Sequence, residues 1–280
     1  NLAEVNSESP LRHHNRKNNY GRLAGVLVVH QMGMPCDISK LLKIANKYSL
    51  PVVEDAACAI GSEVFIDGSW DKIGKGHGDI VCFSLHPRKV LTTGEGGMLT
   101  TNNKNYDEYF RLLRQHGMNL SDLIRHSSSK ILIEDHITTG FNYRMTDIQA
   151  AIGIEQLKKV QTIVDERNEI HEKYIELLSD VTWLELPVLE ENKKTNWQSY
   201  PLRVKENAPV SRDELMQILK DNGISSKPGV MNAHFEKPYS GYQWNLPNSE
   251  KARQATILLP MYNGLKNAEI DLIIKVIKDL

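Results

Sequence analysis

Residues 83–97 read FSLHPRKVLTTGEGG and join two apolar segments through a tight polar loop. One lysine, Lys89, lies in that loop, between Pro87 and a glycine-rich turn at residues 94–97. Most lysines are solvated surface side chains, and most short glycine-rich pieces are simple turns. A lysine held by a constrained loop beside a buried sheet is costly, however, unless it has a partner or a chemical role. The stretch therefore predicts a strand at residues 79–85 that leads into a functional loop.

The sequence upstream predicts a strand–helix–strand unit. Residues 25–30, GVLVVH, form a continuous apolar run, which is typical of a strand buried on both faces. Asp37 can cap a following helix, and residues 51–54 predict a second strand that ends at Asp55. Such a unit implies parallel strands joined by a right-handed crossover. Open α/β sheets bind ligands at the carboxyl ends of their strands, where Asp55 lies, although a helix N-cap is the plain alternative for this residue.

The rest of the chain predicts a second, smaller domain after a long helix. The predicted strands lie at 98–101, 181–186 and 198–204, and the predicted helices at 106–116, 211–222 and from residue 267 to the end. A long helix, expected to bend, begins at the TDIQ capping box at Thr146 and runs to about residue 178. The helix at 211–222 is expected to stop at Gly223. We therefore predict an irregular lead-in at residues 1–22, a large domain at 23–165 and a small α+β domain at 166–280.

Composition excludes several classes of function. The 280 residues carry a net charge of −1, with 40% hydrophobic and 25% charged residues, so no basic field predicts binding to nucleic acid or to a membrane surface. The basic run at residues 12–17 is interpreted as a solvated segment, because no aromatic residues accompany it. The three cysteines, Cys36, Cys58 and Cys82, form no CxxC pair, so neither a disulfide framework nor a metal site is expected. A cytoplasmic location fits this cysteine usage best.

A lysine and an aspartate at the ends of neighbouring strands suit one cofactor in particular. Pyridoxal phosphate (PLP) is carried by a lysine as a Schiff base, and an aspartate keeps its pyridine nitrogen protonated so that the ring can accept electrons. Lys89 and Asp55 are the candidates for these two roles. Other motifs do not compete with this interpretation, since the sequence has no P-loop, GxSxG or HExxH pattern.

Six segments, taken in order, carry a resemblance to a known family. They are residues 28–64 (VVHQMGMPCDISKLLKIANKYSLPVVEDAACAIGSEV), 78–103 (GDIVCFSLHPRKVLTTGEGGMLTTNN), 113–118 (LRQHGM), 140–157 (GFNYRMTDIQAAIGIEQL), 227–239 (KPGVMNAHFEKPY) and 246–262 (LPNSEKARQATILLPMY). The chain resembles the DegT/DnrJ/EryC1/StrS sugar aminotransferases, which are PLP enzymes of fold type I, the aspartate aminotransferase-like fold. The resemblance covers roughly residues 24–280. It implies an α/β fold with a mostly parallel sheet flanked by helices in the large domain.

The resemblance implies a role for each of five residues. Lys89 would carry the cofactor, Asp55 would pair with the pyridine nitrogen, and Ser84 would bind the phosphate. Asn142 would reach the phosphate across a dimer interface, because active sites in this family are shared between two subunits. Cys58 would lie against the ring or its O3′, where many members carry glutamine, a stronger hydrogen-bonding group. The plain alternatives are a polar strand end for Ser84 and a turn residue for Asn142.

The reaction implied by the resemblance is transfer of an amino group from L-glutamate to a keto sugar linked to a nucleotide diphosphate, in a homodimer. Arg144, His234 and Tyr239 lie in matching segments and could contact substrate, although surface or packing roles suit them equally well. The loops at residues 121–139 and 227–242 would select the sugar. A sugar dehydratase of the same fold that uses the pyridoxamine form of the cofactor is a less favoured alternative, because such enzymes carry histidine where Lys89 stands. A non-catalytic or regulatory homologue is the other alternative.

The chain departs from the family pattern at its beginning. Family members have a substantial N-terminal stretch that supplies a phosphate-binding turn at a helix N-terminus and a residue that stacks on the pyridine ring. Residues 1–22 offer no candidate for either, so the large domain is expected to be incomplete. A fragment of a longer enzyme and a natural truncation are the two explanations, and the intact lysine motif favours the fragment.

Overall fold

The computed structural model describes residues 23–119, 133–241 and 244–280. The predicted lead-in, its basic run and most of the loop at 121–139 lie outside the described residues. The described chain from residue 24 divides into two compact units. Residues 24–164 together with 190–198 form what we call the lysine unit, and residues 165–189 together with 199–280 form the C-terminal unit. The boundary placed at residue 165 from the sequence stays a prediction.

The strands of the described residues are short. In chain order they are β1 (Val26–Val29), β2 (Val52–Asp55), β3 (Glu63–Ile66), β4 (Ser69–Lys72), β5 (Ile80–Ser84), β6 (Gly97–Thr100), β7 (Leu184–Glu185), β8 (Lys193–Lys194), β9 (Tyr200–Val204), β10 (Lys227–Pro228) and β11 (Thr256–Leu259). The β3–β4 hairpin was not predicted, because its sequence, EVFIDGSWDK, is charged at several positions.

The α-helices that the structure describes are α1 (Ile38–Lys47), α2 (Lys104–Leu113), α3 (Asp147–Leu157), α4 (Val160–Leu178), α5 (Arg212–Asp221), α6 (Pro247–Ala255) and α7 (Asn267–Lys278). Short 3-10 turns occur at Gln31–Gly33, Ala233–Phe235 and Lys237–Tyr239. The single bent helix predicted up to residue 178 is instead two helices, α3 and α4, separated by residues 158–159. The capping box predicted at Thr146 is confirmed.

The main sheet of the lysine unit has the order β1-β2-β5-β6. β1, β2 and β5 run parallel, and β6 is antiparallel to β5. The carboxyl ends of β2 and β5 therefore meet at one edge of the sheet, which brings Asp55 and Ser84 to neighbouring positions. The mixed α/β fold predicted from the sequence is confirmed.

Among the described residues, one face of this sheet packs on a core, whereas the other face carries exposed apolar side chains of β1. Val28 and Val52 are buried against Ile38 and Ala45 of α1. The prediction that the first strand is buried on both faces is wrong, because Leu27 is 68% exposed. Leu27 pairs with Val53, so the exposed side chain lies on the face that also carries Asp55.

Asp37 occupies the N-cap position of α1 without capping it through its side chain. Its carboxylate instead lies 3.1 Å from Lys40 Nζ and 2.6 Å from Lys193 Nζ. Lys193 belongs to β8, which pairs with β3. The aspartate therefore ties a distant segment to the start of α1.

The C-terminal unit contains an antiparallel sheet of order β10-β11-β9-β7 packed with helices. Its core includes the fully buried Tyr174, Tyr200 and Leu215. A capping box at Ser211 starts α5, and Gly223, with φ of +77°, follows its end, as predicted. Across the part of the chain that the structure describes, no helix combines the length and the apolar character needed to cross a bilayer.

Candidate active site

The loop that carries Lys89 is closed by its own backbone. The amide of Leu85 donates to the carbonyl of Gly96 at 2.9 Å, and the amide of Thr93 donates to the carbonyl of Leu85 at 3.1 Å. Gly96 has φ of +149°, and a Cβ there would lie 3.0 Å from Thr93 Oγ1, so the neck of the loop requires glycine. Within the loop, the Lys89 amide donates to the carbonyl of His86 at 2.9 Å. The lysine thus extends from a turn with a defined backbone.

The start of α3 packs on this loop. The Gln149 side chain completes the capping box with Thr146 and also donates from Nε2 to the carbonyl of Glu95 at 2.9 Å. Met145 packs against the buried cluster that contains Leu85 and Leu91. The lysine segment at residues 83–97 and the segment at residues 140–157 are therefore in direct contact.

The amine of Lys89 contacts a residue in the turn that follows β2. Lys89 Nζ donates to Cys58 Sγ at 3.2 Å, and both side chains are half-buried. Cys58 lies three residues after Asp55, in a turn where the Ala59 amide donates to the carbonyl of Ala56 at 2.9 Å. The geometry therefore brings the predicted lysine and the predicted cysteine together.

Asp55 ends β2 with a partly exposed carboxylate. Its Oδ1 accepts from the amide of Ala57 at 3.0 Å, and no hydrogen bond among the described residues involves Oδ2. Across the sheet, Asp55 pairs with Cys82 of β5. Burial, and then the charge of Asp55, raise the pKa of the Cys82 thiol, which keeps that thiol neutral beside the carboxylate.

Ser84 is the last residue of β5, one strand away from Asp55. Its Oγ accepts from the amide of His86 at 3.4 Å. Opposite Ser84 in the antiparallel pair is Gly97, which has no side chain to cover the hydroxyl. The hydroxyl is therefore accessible at the same edge of the sheet as the Asp55 carboxylate.

Asn142 and Arg144 lie in the extended segment that leads into α3, and both are exposed. Asn142 forms an isolated bridge with Gln115, and its neighbours Phe141 and Tyr143 stack with ring centroids 5.0 Å apart. The structure does not bring Asn142 to the Lys89 of its own chain in any described contact.

His234 and Tyr239 belong to the C-terminal unit. His234 is nearly buried, with Nε2 3.2 Å from Glu250 Oε1 and its ring centroid 4.4 Å from that of Phe235. Tyr239 ends a 3-10 turn and is 45% exposed. The contacts of His234 favour an internal structural role, whereas Tyr239 is accessible.

Sequence reasoning missed a buried pair beside Asp55. His30 Nε2 lies 2.9 Å from Glu54 Oε2, and both side chains are fully buried. The Cys36 amide donates to His30 Nδ1 at 3.2 Å, so Nε2 carries the proton that is donated to Glu54. Glu54 Oε1 also accepts from the amide of Gly78. The pair fixes the strand end that carries Asp55, and its only sequence signal is a charged residue in an apolar strand.

Two further side chains that contact the site were also missed. Asn196 and Gln198 bond to the backbone on either side of the lysine–cysteine contact. They lie more than 100 positions from those partners, and nothing in the TNWQ sequence around them points to a site.

These residues fit the cofactor that the sequence implies. A free Asp55 Oδ2 can accept from a protonated ring nitrogen, an accessible Ser84 hydroxyl can donate to a phosphate, and a half-buried lysine amine lies nearby in sequence and fold. This donor set suits a pyridine ring that carries an aldehyde and a phosphate.

Comparison with solved structures places the fold in one class of enzyme. The chain superimposes on the aminotransferase TlmJ from Streptoalloteichus hindustanus with a TM-score of 0.80 and 28% sequence identity, covering 94% of this chain and 67% of that one. The fold is therefore that of an aminotransferase. The chain belongs to the DegT/DnrJ/EryC1/StrS aminotransferase family, whose model matches residues 16–278.

Two curated relatives are similar to the chain over most of its length. The chain is 33% identical over 264 residues to the uncharacterized protein MJ1066 of Methanocaldococcus jannaschii. It is 31% identical over 265 residues to the spore coat polysaccharide biosynthesis protein SpsC of Bacillus subtilis. Each alignment covers 92% of this chain and 67% of the relative, so the chain spans about two thirds of the length of these relatives.

Proposed function

We propose that this protein is a PLP-dependent aminotransferase that moves an amino group from L-glutamate to a keto sugar linked to a nucleotide diphosphate. The observation that carries the proposal is the placement of the Lys89 amine, 3.2 Å from the Cys58 thiol, in a loop closed at the end of β5 next to Asp55. Membership of an aminotransferase family supports it. The polysaccharide role named for SpsC favours a sugar acceptor.

Each residue has a definite task in this proposal. When bound, PLP supplies an electron sink that makes the α-proton of an amino acid removable. Asp55 Oδ2 would hold the proton on the ring nitrogen, and Ser84 would bind the phosphate. Lys89 would attach the cofactor and, once released, its amine would move a proton at the substrate carbon as a general base and acid.

The proposal includes a homodimer, in which Asn142 serves the neighbouring subunit's site. The exposure of Asn142 in its own chain supports this part. Arg144 and Tyr239 are each proposed to contact the sugar nucleotide, and His234 is proposed to stabilise its own segment of the C-terminal unit through its bond to Glu250. The three cysteines are free, which fits a reducing compartment such as the cytoplasm.

The test uses the protein as its gene encodes it, loaded with PLP and reduced with borohydride. Mass spectrometry of the reduced sample should find the cofactor adduct on Lys89. In a separate sample that is loaded with PLP but not reduced, L-glutamate should aminate the cofactor with release of one 2-oxoglutarate per site. Lys89→Ala should abolish both. Lys104→Ala, which removes a lysine whose side chain is 86% exposed on α2, should change neither. An adduct on another lysine, or turnover by Lys89→Ala, would contradict the proposal.

A further inference from the structure

Residues 190–198 cross back into the lysine unit from the C-terminal unit, and we call them the strap. The strands and helices on either side of the strap in sequence belong to the C-terminal unit. The strap is attached by ordinary pairing, because β8 is antiparallel to β3 and the Phe65 amide donates to the Asn192 carbonyl at 2.9 Å. Its attachment therefore does not depend on the two amide side chains that follow.

Gln198, the last residue of the strap, holds the peptide groups on both sides of Lys89. Its Oε1 accepts from the amide of Val90 at 3.0 Å, and its Nε2 donates to the carbonyl of Arg88 at 2.7 Å. Since the Lys89 amide itself donates to His86, the backbone around the lysine is bonded on three successive residues. This arrangement fixes the direction in which the lysine side chain leaves the loop.

Asn196 holds the turn that carries Cys58. The Asn196 side chain is fully buried, and its Nδ2 donates to the carbonyls of Cys58 and Ile60 at 2.9 and 2.8 Å. Its Oδ1 accepts from the amide of Gln198 at 2.8 Å. Its own backbone amide donates to Ser62 Oγ at 3.0 Å. Every polar atom of this buried side chain is therefore bonded, as a buried amide requires.

The hydrogen bond from the Gln198 amide to Asn196 Oδ1 connects these two sets of bonds into one network. Gln198 bonds to the backbone on both sides of Lys89, and Asn196 bonds to the backbone of Cys58. The Cys58 thiol accepts a hydrogen bond from the Lys89 amine at 3.2 Å. A connected network of satisfied bonds in a buried environment holds its members more rigidly than separate bonds would. The strap therefore links the backbone of the lysine loop to the backbone of the turn after Asp55.

We propose that Asn196 and Gln198 are positioning residues for Lys89, which they orient toward the cofactor through the backbone of the lysine loop and of the Cys58 turn. This inference rests on the proposed function of Lys89. Neither side chain is assigned a contact with the cofactor or the substrate. A displacement of about 1 Å in a reacting group can cost up to about a hundredfold in rate. Removal of the Asn196 or the Gln198 side chain should therefore slow the reaction of Lys89 with PLP.

The experiment compares Gln198→Ala and Asn196→Ala with a control from the same strap. The control is Asn192→Ala, because the Asn192 side chain is exposed and its backbone bond to Phe65 survives the substitution. In the cofactor-free protein, hydrogen exchange of the Val90 amide should become faster in Gln198→Ala only. With PLP added, covalent attachment to Lys89, trapped by borohydride, should be about tenfold to a hundredfold slower in both test variants. The pH midpoint of the visible absorbance of the loaded protein should also move.

Gln198→Glu provides a conservative comparison, since it keeps the acceptor for Val90 and loses the donor to Arg88. Its attachment rate should lie between those of wild type and Gln198→Ala. The inference is wrong if the attachment rate and the pH midpoint of Gln198→Ala equal those of Asn192→Ala. Faster exchange of the Val90 amide alone would not support it, because the strap would then only stabilise the loop. Gln198 is half-buried, so this variant decides the matter if Asn196→Ala does not fold.

The same data separate this inference from the proposed function. If wild type forms its adduct on another lysine, the proposed function fails, and the inference that depends on it fails with it. If wild type forms the adduct on Lys89 while both test variants behave like the control, the proposed function stands and the inference alone is overturned.

Discussion

Cys58 places a thiol next to the amine of Lys89. The contact of 3.2 Å between Lys89 Nζ and Cys58 Sγ leaves no room for a larger group between them. Burial raises the pKa of Cys36 to about 11 and also raises the pKa of Cys82. Because the thiolate is the reactive form, those two thiols should react slowly with alkylating reagents.

Alkylation of Cys58 should therefore block the site. We expect iodoacetamide to prevent covalent attachment of PLP to Lys89, because the added amide group would occupy the position of the amine. Peptide mass spectrometry would measure both the modified cysteine and the lysine adduct. Cys58→Ser should keep its attachment after the same treatment. Full attachment to Lys89 in protein that is completely alkylated at Cys58 would refute this expectation.

His171 should make folding stability depend on pH. It is half-buried in the C-terminal unit, with Nδ1 3.3 Å from the Tyr200 hydroxyl, and burial lowers its pKa from 6.5 to about 4. The unfolded chain then binds more protons than the folded chain between these values, so stability is lost as the pH falls from about 6.5 toward about 4. Allowing for partial exposure, the loss should be about 1–2 kcal/mol.

Urea unfolding at neutral pH and at about pH 5 would measure this loss. His171→Gln keeps a hydrogen-bonding side chain beside Tyr200 but cannot take up the proton, so its stability should change less between the two conditions. Equal changes in wild type and His171→Gln would assign the pH dependence to other groups.

At the residue scale, the sequence could indicate Lys89 and Asp55 because their signals are local. Each lies at the end of an apolar run, next to turn-forming residues. The bonds from Asn196 and Gln198 to the Cys58 turn and the lysine loop span 108 to 138 positions, and a sequence carries no local sign of such bonds. Glu54 was visible only as a charge within a strand, without its partner His30.

At the scale of elements, the start of α3 links helix stability to the lysine loop. Its N-cap, Thr146, accepts from the amide of Gln149 at 3.2 Å, and Gln149 also bonds to Glu95. Loss of the cap would free both the first turn and the side chain that holds the loop. The predicted capping box is thus part of the site's support.

Thr146→Ala should lower the free energy of unfolding by about 1 kcal/mol and should also slow PLP attachment to Lys89. Ser211→Ala is the matched control, because it removes an equivalent capping box from α5 in the C-terminal unit. It should cost a similar free energy without changing the attachment rate. Chemical unfolding and borohydride trapping would measure the two effects, and equal attachment rates in the two variants would contradict the link.

The element boundaries show where sequence patterns succeed and where they stop. The start of α3 was predicted to within a residue because its capping box is a local chemical signal, and both ends of α5 were also predicted to within a residue. The break between α3 and α4 was missed, since residues 158–159 are both lysine and contain neither proline nor glycine. The exposure of one face of β1 was also unpredictable, because hydrophobic sequence does not say what covers it.

At the scale of the whole molecule, the proposed homodimer makes a sharp prediction for mixed variants. Lys89→Ala and Asn142→Ala should each be inactive alone. If Asn142 serves the partner's site, mixing the two variants should restore about a quarter of wild-type activity, because half of the dimers would be mixed and each would contain one intact site. An assay after mixing and exchange of subunits would measure this. Mixing without any recovery would place Asn142 in the site of its own chain or outside the site.

The strap also has a consequence for synthesis of the chain on the ribosome. Val90 and its partner Gln198 are separated by 108 positions. At ordinary translation rates, Gln198 is therefore synthesised roughly 5–20 s after the lysine loop. A nascent chain that ends before residue 190 already carries Lys89, Asp55 and Ser84, but it lacks the side chains of Asn196 and Gln198 that bond to the lysine loop and to the Cys58 turn. Premature termination would therefore release a polypeptide with a reactive lysine and an unfinished fold, and the cell's chaperones and proteases would meet it before any cofactor could be fixed in place.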